Sequence, residues 1–189
     1  MSTNRSSVRI IGGEHRSRRL KFTDQNGDLR PSTDRLRETL FNWIQFDLGG
    51  RQVLDLFAGS GILAAEALSR GADRAELIDI KPKRADDLKQ ELKPLFGTRI
   101  KVHAKDALKW LDHPADRCFD LIFIDPPYHL HVITEACQLL EQHGWLLDRA
   151  LIYIETSAHD PEQAVPAHWQ LLREKVIGDA SARLYTVTR

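Results

Sequence analysis

Val53-Leu54-Asp55-Leu56-Phe57-Ala58-Gly59-Ser60-Gly61, running on into Ile62-Leu63-Ala64-Ala65-Glu66-Ala67-Leu68-Ser69, decides the fold of this chain. The apolar run Val53 to Phe57 reads as a buried strand, the glycines as a tight turn, and Ile62 to Ser69 as a helix. Strand, glycine turn and helix in that order are how a parallel α/β sheet holds an adenosine-type ligand at its carboxyl edge. Outward from this unit the alternation continues. Strands are expected at 52–57, 75–80, 99–103, 119–125, 150–155, 169–176 and 183–188, with helices at 61–70, 82–95, 106–112 and 130–142. Mostly apolar strands imply a parallel sheet covered by helices on both faces. The last two strands have no helical pattern between them. They are joined by Gly178-Asp179-Ala180-Ser181 and should pair antiparallel.

Upstream of the sheet, Val8 to Ile11 and Arg18 to Phe22 are strand-like, with Gly12-Gly13 breaking between them. This reads as a β-hairpin with basic residues on its tip and one face. Arg30-Pro31-Ser32-Thr33 then leads into a helix over 32–46, capped by Ser32 or Thr33 and carrying Leu36, Leu40, Phe41 and Ile44 at helical spacing. The expected organisation is a basic arm, 1–29, on an α/β domain, 30–189. Charge divides the same way. Residues 1–22 hold six basic side chains against Glu14, a net of +5, while the whole chain is neutral, so the remainder carries −5. A basic arm on an acidic body suits a polyanionic partner, and Arg16, Arg18 and Arg19 suit phosphate contact.

Composition narrows the setting. At 189 residues and 42% hydrophobic content the chain is one domain's worth of core. No apolar run approaches the roughly 20 residues that span a bilayer, and Met1-Ser-Thr-Asn-Arg-Ser-Ser lacks a signal-peptide core. Cys118 and Cys137 have no metal-type spacing, and no metal is expected. These features suggest a cytoplasmic, reduced protein without a membrane anchor. The scattered histidines are assigned no chemistry.

The glycine turn admits two cofactors. Gly59-Ser60-Gly61-Ile-Leu-Ala64 fits the dinucleotide pattern, and Asp79 lies 20 residues after Gly59, where an acid would hold a ribose diol. Charge separates the alternatives. Asp55, at the end of the first strand, would repel a pyrophosphate. It would favour the ammonium and sulfonium of S-adenosylmethionine, which has no phosphate. The expected cofactor set is therefore Asp55, Phe57, Ala58, Gly59, Ser60 and Gly61 around the turn, Asp79 and Ile80 after the second strand, and Asp106 and Ala107 after the third. Gly59 and Gly61 would let the backbone approach the ligand. Asp106 also has the position of a helix N-cap.

Asp125-Pro126-Pro127-Tyr128 follows the apolar strand Leu121 to Ile124 and carries the chemistry. An aromatic amine is a poor nucleophile because its lone pair is delocalised into the ring. The Asp125 carboxylate and the Pro126 carbonyl supply two acceptors that favour a pyramidal nitrogen and aim its lone pair at the methyl group. The prolines stiffen the loop, and Tyr128 stacks on the base and holds it in line. No strong base is needed before attack, and Asp125 can take the proton afterwards. The motif alone leaves adenine N6, guanine N2, cytosine N4 and a glutamine amide open, with Asp in the first position leaning towards a base.

A seven-stranded sheet ending in a hairpin matches the architecture of S-adenosylmethionine-dependent methyltransferases. From about Val8 to its end the chain further resembles the bacterial 16S ribosomal RNA guanine-N2 methyltransferases of the RsmD type. The resemblance rests on Arg9-Ile-Ile-Gly-Gly-Glu-His-Arg-Ser-Arg-Arg-Leu20, Arg30-Pro-Ser-Thr-Asp-Arg-Leu-Arg-Glu-Thr-Leu-Phe-Asn-Trp43, the glycine turn, Asp125-Pro-Pro-Tyr128 and Glu174-Lys-Val176. It implies S-adenosylmethionine as donor, S-adenosylhomocysteine as product, one guanine of 16S rRNA as target, and an assembled small subunit as substrate. A monomer is expected. Tyr128 stands where phenylalanine is also common, and His129-Leu-His131 departs from the more basic or glycine-containing stretch expected there. Arg30, Arg35 and Arg37 flank a helix start suited to RNA contact. Pairing within the helix, Asp34 with Arg37 or Arg35 with Glu38, is their structural alternative. Adenine-N6 methylation of DNA or RNA is a competing activity. A non-catalytic cofactor- and RNA-binding assembly factor is a competing class, against which an intact Asp125 argues.

Overall fold

The alternation beyond Arg51 builds one seven-stranded sheet. In the computed structural model, which describes residues 4–24, 33–127, 130–161 and 163–188, the strands are β3 (Gln52–Asp55), β4 (Arg74–Asp79), β5 (Ile100–Ala104), β6 (Phe119–Ile124), β7 (Leu146–Ser157), β8 (Trp169–Ile177) and β9 (Ala180–Val187). Two preceding strands, β1 (Asn4–Arg9) and β2 (Arg19–Asp24), form a separate antiparallel hairpin. The helices are α1 (Asp34–Trp43), α2 (Ile62–Ser69), α3 (Pro82–Phe96), α4 (Ala107–Leu111) and α5 (Ile133–Gln142). The sheet order is β5-β4-β3-β6-β7-β9-β8. The first five of these are mutually parallel, while β9 inserts antiparallel between β7 and β8. This is the expected Rossmann-like seven-stranded sheet with its antiparallel terminal hairpin. Strand ends differ most at β7, which starts at Leu146 rather than at 150.

Each sheet face carries its own apolar core. One face buries Val53, Leu77, Leu121, Phe123 and Tyr153 against α1, α2 and α3; the other buries Leu54, Ile78, Ile122 and Ile152 against α4 and α5. The alternation of partners along each strand is the period-2 pattern of a two-sided sheet. Thr33 caps α1 by accepting from the Leu36 N–H at 3.3 Å. Ser32, the other expected cap, lies outside the described residues.

The hairpin is docked on the sheet domain. Its Val8, Ile10, Leu20 and Phe22 enter the same core as α1, α2 and α3. This explains α2, whose residues are buried on every side although one flank faces away from the sheet. The buried Glu66 accepts hydrogen bonds from the Ile11 and Gly12 N–H groups, and Ser69 accepts from the His15 N–H at 2.9 Å and donates to the Gly12 carbonyl at 2.6 Å. Gly13 has φ +77°, and a Cβ there would lie 1.8 Å from the Ser69 carbonyl oxygen. The Gly12-Gly13 pair therefore seats the loop against α2 rather than merely interrupting a strand.

This docking fixes where the basic tip lies. The loop meets the last turn of α2, and beside it His15 packs edge-on against Phe96, the last residue of α3, while Glu14 lies 3.8 Å from Arg99 just past it. These are the helix ends opposite the glycine turn. Arg16 and Arg18 are exposed at the far side of the domain from the turn, at least the ~12 Å length of an eight-residue helix away.

Candidate active site

Five parallel strands end at one sheet edge, and carboxylates gather there. In spatial order across the sheet stand Asp106 just past β5, Asp79 ending β4, Asp55 ending β3, Asp125 just past β6 and Glu155 near the end of β7. Asp55 pairs with Leu77 and Phe123, so Asp79 and Asp125 each lie two residues beyond their partner positions. The carboxyl edge of such a sheet is where the connecting loops leave a crevice for ligands.

Asp55 is the centre of this row. It is 1% exposed, and burial pushes its carboxyl up to about 7. Backbone N–H groups of Ala64 and Phe57 oppose that shift by donating to it, while the neighbouring charge of Asp79 adds to it. One oxygen, Oδ2, is fully buried without a hydrogen-bond partner. A buried acceptor without a donor is costly, and a cationic or ammonium-bearing ligand is what would satisfy it. The chemistry of this donor set therefore fits the methionine end of S-adenosylmethionine. A pyrophosphate has nothing to offer an unpaired carboxylate oxygen.

The other expected cofactor residues are assembled around it. Gly59 and Gly61 have φ of +54° and +72°, a left-handed backbone suited to glycine. Gly61 has a further reason that differs from the expected one: a Cβ there would lie 2.7 Å from Leu88 Cδ2 and 3.0 Å from Leu92 Cδ1. The missing side chain makes room for α3. Ala58 and Ser60 are buried in the turn, and Phe57 is half-buried against the second core. Asp79 accepts from the Lys81 N–H at 2.8 Å, and its other oxygen lies 3.4 Å from an Arg84 nitrogen. Ile80, next in line, is 63% exposed, an apolar surface left open at the crevice. Asp106 caps α4 by accepting from the Lys109 N–H at 3.0 Å, and Ala107 is buried behind it. Among the described residues no group of three His, Cys, Asp or Glu side chains could hold a metal, and no helix is long and apolar enough to cross a membrane.

The second motif sits one strand over. Asp125 is half-buried, Pro126 buried and Pro127 exposed, and the Pro127 carbonyl accepts from the Leu130 N–H at 2.9 Å. Tyr128 and His129 lie outside the described residues, as does Arg30. Of the remaining arginines, Arg16, Arg18, Arg19 and Arg35 are exposed. Arg37 is not. Its buried guanidinium donates to the Arg9 carbonyl at 2.8 Å and to Asp34 at 2.8 Å, tying α1 to the hairpin. The expectation that Arg37 contacts RNA is corrected: the pairing with Asp34 prevails, and desolvation lowers the guanidinium's pKa.

Glu155 was absent from the expected set. Buried to 3% exposure, it accepts from the Tyr153 hydroxyl at 3.0 Å and lines a small pocket with Pro126, Pro127, Leu130 and His131. The signal was present in Ile152-Tyr153-Ile154-Glu155, an apolar strand closing on a carboxylate as at Asp55 and Asp79.

The family model described as "Conserved hypothetical protein 95" matches residues 8–186. "Ribosomal RNA small subunit methyltransferase D" of Escherichia coli strain K12 is 43% identical over 178 residues, covering 94% of this chain and 89% of the relative. The protein of that name from Haemophilus influenzae is 40% identical over 96% of this chain and 94% of its own length. Among solved structures, "Putative methyltransferase yhhF from Escherichia coli" superposes with a TM-score of 0.89 at 40% identity, covering 97% of this chain and 99% of that one.

Proposed function

The chain belongs to the conserved hypothetical protein 95 family, the RsmD-type methyltransferases, and on that footing we propose that it methylates the N2 amine of one guanine in 16S rRNA, with S-adenosylmethionine as donor and the assembled small subunit as substrate. The observation that carries this reading is the juxtaposition of Asp55 and Asp125 on the neighbouring strands β3 and β6 at one sheet edge. A buried carboxylate that needs a cationic partner adjoins an acceptor pair suited to an exocyclic amine.

When bound, S-adenosylmethionine supplies an electrophilic methyl group and leaves as S-adenosylhomocysteine. The chain's own residues do the rest. Asp55 and the turn Phe57 to Gly61 hold the methionine end, Asp79 the ribose hydroxyls in place of its contact with Arg84, and Ile80, Asp106 and Ala107 the adenine. Asp125 and the Pro126 carbonyl accept from the two N–H bonds of the target amine, which directs its lone pair out of conjugation. Tyr128 stacks on the base. After transfer the nitrogen sheds a proton to Asp125 or water, so no strong base is required.

Binding to RNA is assigned to the exposed Arg16, Arg18, Arg19 and Arg35, with the hairpin, 1–29, as the RNA-contacting part and residues 30–189 as the catalytic part. Because Arg16 and Arg18 are remote from the crevice, their role is phosphate contact away from the target base, which positions without reading sequence. The protein acts as a cytoplasmic monomer in this reading. The test is to supply labelled S-adenosylmethionine with naked 16S rRNA, with small subunits lacking the modification, or with duplex DNA, and to identify the labelled nucleoside. N2-methylguanosine from subunits is expected; N6-methyladenine from DNA would overturn the reading.

A further inference from the structure

Asp125-Pro126-Pro127 explains how an amine is engaged but not how guanine is told from other bases. The acceptor pair would serve the N6 amine of adenine equally well. The difference between the two bases lies one atom along the ring. Guanine presents a second donor, N1–H, beside its N2 amine, whereas adenine presents a lone pair at N1 beside its N6 amine. One further acceptor next to the pair that holds the amine is enough to choose guanine.

Glu155 stands at that place. Strands β6 and β7 are parallel, and Ile124 is in register with Ile154. Asp125 and Glu155 are therefore the next positions on neighbouring strands, which run about 4.8 Å apart. The Glu155 side chain lies on the same face as Tyr153, whose hydroxyl donates to its Oε2 at 3.0 Å. Tyr153 is itself fixed in the core, edge-on to Phe123 with ring centroids 6.3 Å apart. The carboxylate is thus held by a rigid neighbour, yet it forms part of the wall of a pocket whose lining includes Pro126, Pro127, Leu130, His131 and Asp160. At 3% exposure and anchored by the Tyr153 hydroxyl, this carboxylate sits where a further hydrogen bond to it counts for more than in water.

We propose that Glu155 is the specificity-determining residue of the site, accepting from guanine N1–H while Asp125 and the Pro126 carbonyl accept from the N2 amine. This deepens the guanine-N2 reading above and rests on it. Adenine and cytosine would each turn a ring-nitrogen lone pair towards the Glu155 carboxylate and be repelled, so one side chain excludes both bases that the Asp-Pro-Pro motif would otherwise admit.

The experiment uses the full chain and small subunits carrying 16S rRNA with either guanine or 2-aminopurine at the methylated position. 2-Aminopurine keeps the N2 amine but has a lone pair at N1. Single-turnover rates on the two bases are compared for the wild type and Glu155→Gln, whose amide can donate to that lone pair. The wild type should prefer guanine by about a hundredfold or more, and Glu155→Gln should cut the preference by at least about tenfold while S-adenosylmethionine affinity and Tm stay near wild type. An unchanged ratio, whether both rates persist or both fall together, overturns the proposal. Tyr153→Phe removes only the supporting hydroxyl and should lower the preference part of the way, which keeps the idea testable if Glu155→Gln does not fold. Identification of the wild-type product comes first. A nucleoside other than N2-methylguanosine refutes the guanine reading itself, whereas N2-methylguanosine with an unchanged ratio refutes only the role of Glu155.

Discussion

Asp55→Asn should stabilise the protein in a way that depends on pH. In the folded chain the Asp55 carboxyl titrates at about 7 instead of its ordinary 3.8, chiefly because of burial. An acid whose pKa is raised by folding holds its proton in the native state after the unfolded chain has lost it. Its contribution is therefore favourable below about 4, is lost as the pH rises through the window from about 4 to about 7, and is flat above that. At 1.36 kcal/mol per unit, the full loss is about 4 kcal/mol, and about 2–3 kcal/mol of it falls between pH 5 and pH 8. Asparagine cannot ionise. It keeps an oxygen for the Phe57 and Ala64 N–H groups and places an amide nitrogen where Oδ2 has no partner. Any cost of that unpaired nitrogen is the same at every pH, so the difference between two pH values isolates the charge. Urea denaturation of wild type and Asp55→Asn without cofactor, at pH 5 and pH 8, measures it. The variant's advantage should grow by about 2–3 kcal/mol from the lower pH to the higher. An advantage equal at both values would refute the argument that a buried, ionising carboxylate sits at the end of β3. The same variant should bind S-adenosylmethionine more weakly, since the ligand's cationic end loses its counter-charge.

Asp125→Ala should abolish methyl transfer while leaving the S-adenosylmethionine Kd near wild type, as measured by calorimetry; loss of cofactor binding instead would mean that Asp125 belongs to the donor site. Gly13→Ala forces a Cβ against the Ser69 carbonyl at a left-handed φ and should cost about 2–4 kcal/mol in urea denaturation, and a neutral result would undo the docking of the hairpin on α2. The arginines should separate by burial. Replacing Arg16, Arg18 and Arg19 together with alanine should weaken RNA binding and flatten its dependence on salt. Arg37→Ala should instead lower stability by about 2–3 kcal/mol and leave that slope alone. A reversal of these two outcomes in filter-binding and melting measurements would contradict the assignments.

Much of this was legible because it is local. The apolar runs and the glycine turn are written within a dozen residues each, so the alternation of strands and helices is local and the carboxylates at strand ends follow from the strands. What sequence could not supply was the partner of a polar group distant along the chain. Gly61 reads from sequence as a ligand-approach glycine, and only the fold shows that Leu88 and Leu92, nearly thirty residues on, occupy the space a Cβ would take. Arg37 looks like an RNA-facing cation until the Arg9 carbonyl claims it. The Gly12-Gly13 loop looks free until Glu66 and Ser69 bond it.

These cases share a cause that sharpens how the site should be read. Burying a polar group requires a partner, and the partner's position along the chain carries no sequence signal of its own. The charge of the hairpin was evident, but its direction was not, because the hydrogen bonds that aim the loop run to α2 rather than to its own strands. Glu155 is hard to single out from sequence for the opposite reason. A strand that ends on a carboxylate was already the rule at β3 and β4, yet β7 carries no glycine turn or proline pair to draw attention to its end. Applied evenly to every parallel strand, the same rule identifies the acid beside Asp125, and the chemistry of the crevice then reads as a single row of acceptors. In the proposed reading, the acid ending β3 faces a cationic cofactor, the acid ending β4 its hydroxyls, and those at β6 and β7 the hydrogen-bond donors of a guanine edge.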